Sequence, residues 1–144
     1  MTHETATTWL KAASIGLIVV GVYFSWALYA PLNAATLIFL DIAMLAHDGP
    51  ETLATVEARL LTAIVGGLTA GIGVAILMIT RKVYAADPAL GGQLILAFAV
   101  PWFCVDSIGS ILAGAWFNVV PNLVIFAAIA GPVLLRRKSA ELAA

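Results

Sequence analysis

Residues 94–114 read LILAFAVPWFCVDSIGSILAG. A run of this length, apolar apart from a single carboxylate, spans the roughly 30 Å hydrocarbon core of a bilayer as one helix. Its one charge, Asp106, is what makes it informative. A carboxyl near a bilayer centre costs about 2.5–3.5 kcal/mol on insertion scales, so such a residue faces a partner or a wet cavity. Asp106 is the one acidic residue in any stretch of this chain long enough to cross.

Four stretches have that length: 12–30, 60–80, 93–114 and 118–135. The expected architecture is an all-α membrane protein, a single integral membrane domain over residues 1–144. Its four transmembrane helices form an antiparallel bundle, with a short interfacial helix between spans one and two. That helix comes from the outer loop, 31–59, whose apolar run 34–46 is too short to span and is interrupted by Asp41. Pro31 and Gly49-Pro50 bracket it, and Pro50 with Glu51 reads as the start of the helix leading through Arg59 into span two. The first span is too long for the apolar core of a signal peptide and is read as a retained helix.

Composition sets the class. Hydrophobic residues make up 62% and charged residues 10% of the chain, too few charges to build a water-facing surface. The expected surroundings are the lipid bilayer and other membrane helices, from a second copy or a partner subunit. A net charge of −1 argues against nucleic acid. Cys104 is the single cysteine, which excludes an internal disulfide. No cofactor or metal is expected: His47 stands among Asp41, Asp48 and Glu51 without a ligand spacing, and reads as part of a solvated acidic loop. Lys11, Arg81, Lys82, Arg136, Arg137 and Lys138 all fall on one side if both termini are cytoplasmic, leaving Arg59 outside. The positive-inside rule thus predicts a multi-pass protein of the bacterial inner (plasma) membrane. Trp26, Tyr29 and Trp116 then belong to an outer aromatic belt, Trp9 and Tyr84 to an inner one.

Three groups of residues stand out. Asp106 and Ser110 share one face of span three, and Asn118 and Asn122 share one face of span four. A short connection makes these spans antiparallel neighbours, so the four residues are expected to form a buried polar cluster, with Asp106 about 12 Å and Asn122 about 9 Å below the turn. Pro101 and Pro121 are expected to free the carbonyls of Ala97 and Phe117 beside it. Ala63, Gly67, Gly71 and Ala75 form a small-residue ladder on span two, widened by Gly66 and Ala70, and Gly109 adds to a similar surface on span three. Such ladders let helix backbones approach closely. Arg59, at the mouth of span two, is placed to pair with Asp106 as counter-charge or with Glu57.

The stretch Trp102-Phe103-x-x-Asp106-Ser107-x-Gly109-Ser110-x-x-Ala113-Gly114-x-x-x-Asn118-x-x-x-Asn122, following a span with the Gly66-Gly67 pair, resembles one in uncharacterised small four-span bacterial inner-membrane proteins. The similarity runs from about Gly66 to Pro132 and implies no activity. Other four-span groups do not fit: the chain lacks the cysteine pairs of disulfide-exchange proteins and the span-one glutamate of small multidrug transporters. It also lacks the intramembrane Arg and Glu of membrane glutathione transferases and the glycine-arginine motif of fluoride channels. Two functions remain in view. One is a non-enzymatic helix-packing or accessory subunit of a membrane assembly, including a homo-oligomer. The other is a small proton- or cation-coupled transporter or channel subunit that uses Asp106. A membrane enzyme would need a base near Ser107 or Ser110, and no histidine lies in a span.

Overall fold

The computed structural model describes residues 1–45 and 52–136. The described residues form helices joined by turns, with no strand among them: α1 (His3–Trp26), α2 (Ala34–Met44), α3 (Val56–Ile79), α4 (Pro88–Leu112) and α5 (Val119–Leu134). A π-helical turn, Thr80–Tyr84, extends α3, and a 3₁₀ turn, Trp116–Asn118, precedes α5. Four of the helices are long and apolar enough to cross a membrane, and α2 is the shorter apolar helix between the first two. Most large apolar side chains point outward, among them Val19, Leu68, Val105 and Val124. A surface of that kind is covered by lipid.

The helix ends follow local chemistry. Thr2 caps α1, its hydroxyl accepting from Thr5 N at 3.1 Å, so α1 begins well before residue 12. Thr55 caps α3 in the same way, accepting from Ala58 N at 3.1 Å. This corrects the expectation of a helix starting at Pro50: residues 52–55 are not helical, because the Thr55 side chain offers the orphan amides a better partner. Pro50 itself, with His47, Asp48 and Glu51, lies outside the described residues, as do Arg137 and Lys138. Asp87 caps α4 by accepting from Ala89 N and Leu90 N, both at 3.0 Å, with Pro88 in the first helical position. The other end of α4 closes on Gly114, whose φ of +85° suits glycine. There Ala115 N bonds Ser110 O at 2.9 Å and Gly114 N bonds Ile111 O at 3.0 Å.

Packing runs α3 on α1, α1 on α5, and α5 on α4, while α3 and α4 barely touch beyond their connecting turn. The α1–α3 contact is backbone against backbone. A Cβ on Gly66 would lie 2.5 Å from Ser25 N, and one on Gly73 would lie 2.8 Å from Ser14 O. Gly21 of α1 meets Gly66 and Ala70 from the other side, and Ser25 Oγ donates to Ala63 O at 3.1 Å. The expected ladder therefore needs correcting. Within the chain α3 packs through Gly66, Ala70 and Gly73, whereas Gly67, Gly71 and Ala75 are exposed, and a Cβ at Gly67 or Gly71 would meet nothing within 4 Å. Four-then-three spacing follows a seam along two antiparallel helices; the four-four row diverges from it. Gly109 likewise faces open space.

The main apolar core sits toward the end opposite α2. Ala6 and Leu10 of α1, Ile76 of α3, Tyr84 of the π turn, Ile95 and Ala99 of α4, and Ile129 of α5 meet there. Tyr84 is completely buried, not part of an aromatic belt, because Gly91 and Gly92 leave room for it against α4. Trp9, Trp26, Tyr29 and Trp116 are exposed at span ends.

Candidate functional site

The polar cluster forms at the α2 end, between α4 and α5. Asn122 Nδ2 donates to Asp106 Oδ2 and, more weakly, to Ser107 Oγ at 3.4 Å. One turn nearer the α2 end, Asn118 Nδ2 donates to Ser110 Oγ at 2.9 Å. The structure thus brings together all four residues singled out in the sequence, as two rungs across an antiparallel helix pair. The Gly114 turn sets the register: by reversing the chain tightly after Ala113, it places Asn118 opposite Ser110 and hence Asn122 opposite Asp106. Below the rungs, the Phe103 and Phe126 rings pack at 4.9 Å between centroids.

Asp106 and Ser110 are half-buried, while Ser107 and Asn122 are buried. The partner of the Asp106 carboxylate among the described residues is an amide, not a cation. Arg59 does not reach it. Its Nη1 donates to Leu53 O at 2.7 Å and Ala54 O at 2.8 Å, and its guanidinium stacks over the Tyr29 ring at 5.2 Å. Arg59 therefore ties the segment before α3 to the chain leaving α1. Backbone carbonyls beside it satisfy the guanidinium without carrying it into the apolar layer.

The two prolines differ. Pro101 lies inside α4 and cannot donate to Ala97 O. Pro121 lies in the first turn of α5, where an amide has no helical acceptor to lose, and Phe117 O accepts from Val119 N. So Pro121 starts a helix and frees no carbonyl.

Ser107 stands in the sequence beside Asp106 but outside the expected cluster; its contact with Asn122 follows from that place, on the flank of the same face. Thr36 of α2 carried no signal beyond being a hydroxyl in an apolar run. It is nonetheless 2% exposed, and α2 packs on the Trp116–Asn118 turn. Tyr23 Oη donates to Leu32 O and the Phe24 and Phe39 rings pair at 5.5 Å, holding the loop before α2 and α2 itself to the end of α1.

A second feature is a groove of about 350 Å³ between α3 and α4, with Gly67, Gly71 and Ala75 on one side and Ile95 and Phe98 on the other. The small-residue row left out of the α1 contact lines it.

No protein-family profile, no curated protein and no solved structure matches this chain. The similarity around Asp106 stays at the level of a residue pattern.

Proposed function

We propose that this chain is a non-enzymatic integral protein of the bacterial inner membrane that works as a helix-packing or accessory subunit of a membrane assembly. One observation carries the reading. The chain has two small-residue rows on α3; it uses one against α1 and leaves Gly67, Gly71 and Ala75 uncovered beside a groove. In lipid, where apolar side chains gain nothing by meeting each other, close backbone approach at small residues is a main source of helix association. The Asp106–Asn122 rung fits the same reading, since it joins α4 to α5 and supplies the carboxylate with a donor.

The test replaces the uncovered row. Gly67→Leu with Gly71→Leu is expected to abolish co-purification of a partner, or self-association in liposomes followed by energy transfer, while leaving thermal unfolding of the single chain unchanged. A wild-type protein that runs strictly as a monomer and co-purifies with nothing refutes the reading.

A second reading is favoured by one observation: Asp106 lies in a spanning helix, forms no salt bridge among the described residues, and has a neutral partner. A proton- or cation-coupled transporter or channel subunit would use such a carboxylate. Reconstituted Asp106→Asn is then expected to lose flux; flux equal to wild type for every ion tried removes this reading.

A further inference from the structure

A groove of about 640 Å³ lies against α1 and α5 at the Tyr84 end of the bundle, where His3 packs on Tyr84. Its lining changes character along α1. Glu4, Thr8 and Ala12 form one row at four-residue spacing, and Thr5, Trp9 and Ala13 form the adjacent one. The tip of α1 thus supplies a carboxylate, hydroxyls and an indole. Roughly 12 Å farther along the helix the lining is alanine: Ala12 and Ala13, with Ala128 of α5, whose short side chains leave the space open. Ionic at the helix tip and apolar deeper is the order in which a phospholipid lies along a spanning helix, headgroup at the interface and acyl chain in the hydrocarbon.

Charge selects the headgroup. Glu4 is the single charged side chain of the lining; it is exposed and no base accompanies it. A carboxylate there repels an anionic headgroup and attracts a cationic one. Trp9 is 52% exposed, and an indole is the best aromatic partner for a cation. The Thr5 hydroxyl is engaged with that of Thr2 at 2.7 Å. The Glu4 carboxylate and the Thr8 hydroxyl are acceptors, and a primary ammonium has N–H groups to give them where a quaternary ammonium has none. We propose that this groove binds phosphatidylethanolamine, with its ammonium on Glu4, Thr8 and Trp9 and an acyl chain over the three alanines. The site uses none of the α3 row and goes beyond the packing role.

The experiment uses the full chain with Trp9 as its remaining tryptophan (Trp26→Phe, Trp102→Phe, Trp116→Phe), reconstituted in phosphatidylcholine vesicles. These carry equal mole fractions of phosphatidylethanolamine, phosphatidylcholine or phosphatidylglycerol, each brominated on the same acyl chains. Quenching of Trp9 is expected to give phosphatidylethanolamine a binding constant about two- to fivefold above phosphatidylcholine, with phosphatidylglycerol no better than phosphatidylcholine. Glu4→Gln, at an exposed position, is expected to remove the preference, and a chain whose remaining tryptophan is Trp116, at the other end of the bundle, is expected to show none. Native mass spectrometry of the wild-type chain and of Glu4→Gln, released from nanodiscs holding the two zwitterionic lipids equally, reads the same comparison with every tryptophan in place. Equal binding of all three lipids or a preference for phosphatidylglycerol overturns the inference. So does a phosphatidylethanolamine preference that survives Glu4→Gln or is as strong at Trp116.

Discussion

Asp106 and Asn122 illustrate how a carboxylate is carried in a spanning helix. An interhelical hydrogen bond in a membrane contributes about 0.6 kcal/mol on average and up to about 1.7, less than the insertion cost of the carboxyl. The rung therefore lowers a penalty more than it drives folding. Asn122→Leu removes the donor and leaves Asp106 without it, so a loss of about 1–3 kcal/mol is expected in an unfolding titration. Asp106→Asn keeps an acceptor for Asn122 and drops the charge, and is expected to change stability by less than about 1 kcal/mol. Equal losses for the two variants would show that the rung is held by more than this one bond. At Gly114 the φ of +85° makes Gly114→Ala strained. The expected cost is about 1–2 kcal/mol, with loosening of both rungs, visible as faster hydrogen exchange of the α5 amides.

At the level of elements, the two rows of α3 make opposite predictions. Gly66→Leu drives a side chain into the backbone of α1, where even a Cβ would sit 2.5 Å from Ser25 N and 2.6 Å from Gly21 O. Helices cannot shift by that much and keep their seam, so this variant is expected to lose folded protein in detergent, read by size-exclusion chromatography. Gly67→Leu, one residue away, meets open space and is expected to yield normally folded chain. The N-terminal cap of α4 gives a milder test. Asp87→Ala leaves Ala89 N and Leu90 N without their acceptor, at a cost of about 1 kcal/mol in thermal unfolding.

For the whole molecule, the ends of the bundle differ in character. The end with α2 holds the polar rungs and Arg59; the other holds the apolar core around Tyr84, where Met1 N donates to Leu135 O at 2.9 Å. The charge bias predicts that the Tyr84 end faces the cytoplasm. In a Cys104→Ser background, Glu57→Cys is expected to react with a membrane-impermeant maleimide added to intact spheroplasts. Thr2→Cys is expected to react only after lysis, and the reverse pattern would invert the orientation.

The amino-acid sequence by itself determined the class, the four helices long and apolar enough to cross and the short α2 between the first two, because lipid solvation acts on each segment independently of its neighbours. It also marked Asp106, Ser110, Asn118 and Asn122, since a tight turn and fixed helical spacing leave little freedom in how two adjacent spans meet. Tertiary structure alone decided which row of α3 would pack, because that depends on where Gly21 of α1 falls when the helices dock. Docking likewise buried Tyr84, which reads from sequence as an interfacial aromatic, in the space that Gly91 and Gly92 leave open. It gave Arg59 backbone carbonyls in place of either carboxylate expected for it, and it brought α2, with its buried Thr36, onto the turn bearing Asn118. Gly21 and Gly66, like α2 and the Asn118 turn, lie far apart in the chain, and no local pattern of hydropathy encodes the distance between them; the Arg59 and Tyr84 contacts are closer in sequence but depend on how their connecting segments fold back.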